Sequence, residues 1–239
     1  MASTTYGALY LIPVTLGDDD IAQALPAAVV SRAQMLDTFI VENEKTARRF
    51  LGAIKTTTPV RELSLLTLNE HTKAEEFPAL IAPLLAGKDV GLISEAGCPG
   101  VADPGAQVVA LAHRHHIRVV PLVGPSSILL ALMASGLNGQ RFAFLGYLPS
   151  EKAARVQRLK EIEKASHQHN ETQVFIETPY RNQHMLEDVI ATCRPETRLC
   201  VACNLTLENE QVISRSIREW RAAALPDIHK QPSVFLLLA

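Results

Sequence analysis

Apolar residues in this chain fall into short dense runs, separated by segments in which they recur at helical spacing. Ala8-Leu9-Tyr10-Leu11-Ile12 stops at Pro13 and predicts a strand within 7–14, and Asp18-Asp19-Asp20 caps a predicted helix over 21–30. Phe39-Ile40-Val41 is a short buried strand, 45–54 a helix and 64–68 another strand. A helix over 75–85 must keep Pro78 near its start, where the missing N–H costs nothing. The same rhythm continues with a strand at 90–94, a helix at 106–113, a strand at 117–123 and a helix at 126–135. Strands alternating with helices predict a mostly parallel sheet covered on both faces.

Beyond 136 the rhythm changes. Gly139, Gly146 and Pro149 punctuate short apolar pieces, which puts the domain boundary here: an N-terminal α/β domain over 1–139, a linker over 140–150 and a C-terminal α/β domain over 151–239. The second domain reads as a charged helix over 151–164, a polar turn over 166–171 and a strand over 172–177. A helix over 182–191, strands at 199–203, 211–214 and 233–238, and a helix at 217–223 complete it as a mixed sheet.

Composition narrows the class. Hydrophobic residues at 47% against 20% charged describe a folded chain, and only 5% aromatic content makes the core aliphatic. With 23 Lys and Arg against 25 Asp and Glu, no general attraction to nucleic acid is expected. A local patch of Lys45, Arg48 and Arg49 on one helix remains. The first residues do not read as a signal peptide and no apolar run reaches membrane-spanning length, so a cytoplasmic protein without a membrane partner is expected. Cys200 and Cys203 sit in a predicted strand that points them to opposite faces, so with Cys98 and Cys193 they read as ordinary thiols. His113, His115 and His116 have no carboxylate or cysteine at ligand spacing, so no metal is expected.

In a parallel sheet, ligands occupy the crevice beyond the carboxyl ends of the strands. Three loops meet that rule: Pro13-Val14-Thr15-Leu16-Gly17, Glu95-Ala96-Gly97-Cys98-Pro99-Gly100, and Gly124-Pro125-Ser126-Ser127. Their glycines admit close backbone approach and their prolines keep them stiff. Asp103, ahead of Pro104, caps the helix that follows. No GxGxxG follows the first strand, and GxxxxGK[ST], HExxH and GxSxG are absent, so nicotinamide, flavin, ATP and hydrolase chemistry have no motif behind them. Glu42, the first acidic side chain after a buried strand, can orient a substrate hydroxyl, and Glu70 with His71 can accept a proton.

Gly97-Cys98-Pro99-Gly100-Val101-Ala102-Asp103-Pro104-Gly105 resembles the GxPxxxDPG motif of the tetrapyrrole methylase superfamily, and Val123-Gly124-Pro125-Ser126-Ser127 resembles its GPS motif. Within it, the chain is most similar to the branch that methylates a ribose 2'-hydroxyl in small-subunit ribosomal RNA. That likeness rests on the stretch 42–49, Asn69-Glu70-His71, Gly146-Tyr147-Leu148-Pro149, Glu177-Thr178-Pro179-Tyr180-Arg181 and Leu205-Thr206. The resemblance implies two α/β domains with S-adenosylmethionine in the cleft between them, a homodimer, and the small ribosomal subunit or its RNA as partner. It assigns cofactor contacts to Pro13, Leu16, Glu95, Ala96, Gly97, Ser126, Ser127 and Tyr147, with Asn204, Leu205, Pro232 and Ser233 from the second domain.

The chain departs from that branch at several positions. Glu42-Asn43-Glu44-Lys45 stands for Glu-Asp-Thr-Arg, Asn69 for a histidine and Thr72 for an asparagine. Glu95-Ala96-Gly97-Cys98-Pro99 stands for Asp-Ala-Gly-Thr-Pro, and Cys203-Asn204-Leu205-Thr206-Leu207 for Arg-Glu-Leu-Thr-Lys. The branch also often carries a further C-terminal segment. Two alternatives therefore stay open beside RNA methylation: methylation of a tetrapyrrole or other small molecule, and binding of S-adenosylmethionine without turnover.

Overall fold

A computed structural model describes residues 6–17, 20–69 and 71–239. Clustering of contacts divides the chain into two compact units, Met1–Ser126 and Ser127–Ala239. That division falls ahead of the linker expected at 140–150.

The first unit is a five-stranded sheet in the order β3-β2-β4-β1-β5, with β1 at Ala8–Ile12, β2 at Thr38–Val41, β3 at Ser64–Thr67, β4 at Val90–Ile93 and β5 at Arg118–Pro121. Every pairing is parallel, so all five carboxyl ends lie along one edge. Side-chain alternation sends Tyr10, Ile12, Phe39 and Val41 to one face, where they pack with α2 (Ala27–Gln34) and α3 (Glu44–Ala53). Leu9, Ile40 and Leu92 go to the other, against α4 (Phe77–Leu85) and α5 (Gly105–Arg114). The helix expected over 21–30 is two: α1 (Ile21–Ala24) and α2 are separated at Pro26, which cannot donate to the preceding turn. Asp20 caps α1, while Asp18 and Asp19 lie outside the described residues.

The second unit carries a mixed sheet in the order β6-β7-β10-β8-β9: β6 at Phe142–Tyr147, β7 at Thr172–Ile176, β8 at Arg198–Cys203, β9 at Gln211–Ser216 and β10 at Ser233–Leu238. Only β6 and β7 run parallel, and β10, last in sequence, is central. The expected linker is thus mostly strand. Gly146, at φ +66, sits in a break of register between Phe144 and Tyr147, so the glycine marks a bulge in β6. One face of the sheet packs Phe175, Phe235 and Val201 against α7 (Lys152–His169), α8 (Asn182–Thr192) and α9 (Ile217–Ala222). Phe175 stacks on Phe235 with ring centroids 5.5 Å apart, and the buried Trp220 donates its indole N–H to the Leu199 carbonyl at 2.9 Å. α6 (Ser127–Ser135) packs on β8, β9 and β10. α7 runs through the stretch expected as a polar turn, and it ends at Asn170, whose left-handed backbone closes it.

Among the described residues no helix is long and apolar enough to cross a membrane. None of their His, Cys, Asp and Glu side chains gather in threes to hold a metal.

Candidate active site

The parallel sheet positions the first set of residues. β1 hands the chain to α1 and α2 on one face and β4 hands it to α5 on the other, so the adjacent loops part over the sheet edge, the setting in which such folds bind ligands. Three loops are knitted together there. Val14 N–H donates to the Gly97 carbonyl at 2.9 Å, and Ser94 Oγ donates to the same carbonyl at 3.3 Å. The Cys98 thiol donates to the Pro125 carbonyl at 3.3 Å, and burial pushes its pKa up, so the sulfur keeps its proton. Gly124 lies flat on Pro13: a Cβ there would come within 2.2 Å of the proline ring. Gly97 has φ +70, and its Cβ would meet Leu16 and the Pro125 carbonyl. Asp103 Oδ1 accepts from Gly100 N–H at 2.8 Å and Gly105 N–H at 2.7 Å, fixing the loop as well as the helix start.

Beside these loops lies a cavity of about 100 Å³ lined by Val14, Leu16, Glu42, Asn43, Thr46 and Glu95, among others. Three carboxylates meet near it. Glu95 N–H reaches Glu42 Oε1 at 3.4 Å, and Thr46 Oγ donates to Glu95 Oε1 at 2.5 Å. Burial raises the Glu42 pKa; the Asp103 charge raises it further, and the Glu95 N–H opposes. Asp103 is raised as well, by burial against its two N–H donors. Thr46, one turn into α3, carries no motif that would have marked it. His71 is exposed in the turn after β3, where its N–H donates to Asn69 Oδ1 at 2.9 Å, and it does not line the cavity. Glu70 lies outside the described residues.

In the second unit, Tyr147 ends β6, Asn204 and Leu205 follow β8, and Pro232 and Ser233 lead into β10. Register brings all five to one end of the mixed sheet. Asn204 takes the left-handed φ +50, its N–H donates to the Pro232 carbonyl at 2.9 Å, and its amide donates to Gln231 Oε1 at 3.0 Å. Gln231, absent from the sequence expectations, is the hub: its carbonyl also accepts from Asn182 Nδ2 and Ser233 Oγ. At the end of β7, Arg181 donates to the buried Glu177 at 2.6 Å. Burial opposes ionisation of Glu177, but Arg181 and the Thr178 N–H outweigh it and hold its pKa below the usual value.

Residues 8–220 match the family model for tetrapyrrole (corrin/porphyrin) methylases. The chain belongs to the tetrapyrrole methylase family. Its relatives include proteins named ribosomal RNA small subunit methyltransferase I. That of Vibrio cholerae is 29% identical, over 96% of this chain and 76% of the relative. That of Synechocystis is 33% identical, over 86% and 69%. Among solved structures, the cobalt precorrin-4 methyltransferase CbiF superposes with a TM-score of 0.63 at 14% identity, covering 100% of this chain and 97% of its own, which is a likeness of fold. As a member of this family the protein is an S-adenosylmethionine-dependent methyltransferase.

Within this methylase, several departures from the RNA-methylating branch have local explanations. Asn43 still caps α3, accepting from Lys45 N–H at 2.9 Å, as an aspartate would. Asn69 and Thr72 close their own turn, Thr72 Oγ accepting from Asn69 N–H at 2.9 Å. Cys98 supplies a donor where the branch has a threonine hydroxyl.

Glu42 yields a prediction. Its raised pKa means that folding favours the protonated form, so its contribution to stability is present below the ordinary value of 4.5 and is lost as pH rises through the raised value. Glu42→Gln should therefore stabilise the first unit at pH 7, by no more than about 0.5 kcal/mol because solvent screens the half-exposed carboxylate. The gain should vanish at acid pH, where the glutamate is protonated too. Urea melts at the two pH values check this, and an equal effect at both would refute it.

Proposed function

We propose that this methyltransferase acts on a ribose 2'-hydroxyl of small-subunit ribosomal RNA. The observation that carries the proposal is Glu42, a half-buried carboxylate of raised pKa beside the knitted loops. The names borne by its relatives support small-subunit ribosomal RNA as the acceptor molecule. Methyl transfer needs placement in a stiff, dry site more than it needs a strong acid. The steric fit of Gly97 against Leu16 and of Gly124 against Pro13 supports a preformed cradle for S-adenosylmethionine. When bound, that cofactor supplies an electrophilic methyl group on a sulfonium.

In this proposal Pro13, Leu16, Glu95, Ala96, Gly97 and Ser126 hold the cofactor from the first unit. Ser127, Tyr147, Asn204, Leu205, Pro232 and Ser233 are the candidate cofactor residues of the second unit. Glu42 Oε1, steadied by the Glu95 N–H, takes the proton that the acceptor hydroxyl releases. Glu70 and His71 are the alternative proton acceptors.

A tetrapyrrole or other small acceptor is the second reading. The family's description favours it, as does the loss of charged groups at Asn204 and Leu207. The experiment supplies methyl-labelled cofactor with unmodified small ribosomal subunits in one arm and tetrapyrroles in the other. Label recovered in a 2'-O-methylnucleoside after digestion of the subunit RNA would support the ribose reading, and label recovered only in other nucleosides would exclude it. Label in the tetrapyrrole arm alone would establish the second reading.

A further inference from the structure

The motif Glu177-Thr178-Pro179-Tyr180-Arg181 carries more chemistry than a turn requires. Tyr180 is 68% exposed, which is unusual for a side chain held on so rigid a loop. Rigidity comes from a second loop, 227–231. Lys230 N–H donates to the Pro179 carbonyl at 2.9 Å, Asn182 Nδ2 to the Gln231 carbonyl at 2.5 Å, and Ile228 N–H to Gln183 Oε1 at 3.2 Å. Lys230 takes the left-handed φ +61, a strained backbone for lysine, and its ammonium lies 5.8 Å from the Tyr180 ring centre. His229 meets the same ring edge-on, with centroids 6.2 Å apart. Beside them, Arg181 is anchored through one Nη to Glu177, whose side chain is 1% exposed, while the arginine side chain as a whole remains 42% exposed. Glu177 Oε2 and Arg181 Nε are buried and have no hydrogen-bond partner among the described residues. Asp227 is the nearby acid in this loop, and its Oδ1 is engaged by the His229 N–H at 3.0 Å.

An exposed ring on a fixed loop, flanked by an ammonium, an imidazole and an anchored guanidinium, is the chemistry that receives an unpaired nucleotide. The ring offers a stacking face for a base, and the cations meet the phosphate. We propose that loops 177–182 and 227–231 form a binding face for single-stranded RNA, on which a base stacks against Tyr180 and the adjoining phosphate is held by Lys230 and Arg181. This rests on the ribosomal RNA reading above and gives that substrate a docking point in the second unit. Glu177 is then a positioning residue, because it fixes Arg181 without touching the RNA.

Fluorescence anisotropy with a short unpaired RNA and the full chain tests the face. Tyr180→Ala should weaken binding roughly tenfold or more, and Tyr180→Phe should keep it, since the phenyl ring still stacks. Lys230→Ala should lower the slope of log affinity against log salt by about 0.7, the share of one phosphate contact. Thermal stabilisation by S-adenosylmethionine should be the same in all three variants, which shows that they are folded. If the wild-type chain binds no RNA, the ribosomal RNA reading and this face fall together. If it binds and Tyr180→Ala binds equally well, the face alone is overturned. Equal competition by a base-free polyphosphate would also overturn it.

Discussion

Asp188→Ala should cost the second unit about 3–5 kcal/mol of stability, among the largest effects of any single side chain there. Asp188 and Arg155 are both buried, joining α8 to α7. Arg155 Nε and Nη2 both donate to Asp188 Oδ2, at 2.8 and 2.6 Å, and its other Nη donates to the Ser150 carbonyl at 2.7 Å. Removing the carboxylate leaves a buried guanidinium with only the Pro149 and Ser150 carbonyls, both on one Nη, since arginine cannot shed its proton. The exposed Lys152, 3.6 Å from Asp188, adds little. Replacing both members with Arg155→Met and Asp188→Leu should recover most of the loss, because the cost lies in the unpaired charge. Urea denaturation of the two variants decides it: a loss under about 1 kcal/mol for Asp188→Ala would show that solvent reaches the site.

The same salt bridge marks where sequence patterns stop being informative. Strands β1, β4 and β10 were legible because dense aliphatic runs bounded on one side by Pro or Ser leave no other economical conformation. β6 was not: its phenylalanines alternate over only a few residues, and Gly146 and Pro149 read as punctuation. The glycine in fact makes a bulge, while the backbone of Pro149 and Ser150 is held by Arg155. α7 was cut short for a related reason. Its last turns are His167, Gln168 and His169, polar residues whose helicity is secured by the burial of Ser166 and its bond to the Glu171 carbonyl at 2.8 Å. Pro26 was visible, but the helix expectation ran through it. At the site, the glycine–proline loops announced themselves. The meeting of Glu42, Glu95 and Asp103 did not, because it depends on β2 and β4 being neighbours, and strand order is not written in periodicity. Gln231 was invisible for the same reason: its partners at 182 and 204 become neighbours only through the pairing of β10 with β7 and β8.

Gly124→Ala should cripple cofactor binding while leaving the chain folded. The added Cβ would lie 2.2 Å from Pro13 Cγ and 2.3 Å from Pro13 Cβ, far inside contact distance, and a proline ring has no rotamer that moves it away. The backbone must therefore give, separating the loop after β5 from the loop after β1 at an overpacking cost of about 1–3 kcal/mol. The Cys98 bonds to the carbonyls of Gly124 and Pro125 would loosen with it, carrying the disturbance into the third loop. Affinity for S-adenosylmethionine should fall about tenfold or more, since displacements on the scale of 1 Å are costly in a preorganised site. Gly97→Ala should act by another route. Its φ of +70 costs an alanine about 1–2 kcal/mol, but its contacts are milder: the Leu16 side chain at 3.1 Å can turn aside and the Pro125 carbonyl at 3.2 Å need give only slightly, so its effect on binding should be the smaller of the two. Gly139→Ala, with nothing within 4 Å of its Cβ, is the matched control. Isothermal titration of the three variants orders them. Wild-type affinity in Gly124→Ala would mean that the three knitted loops are not the cofactor cradle, however well they fit one another.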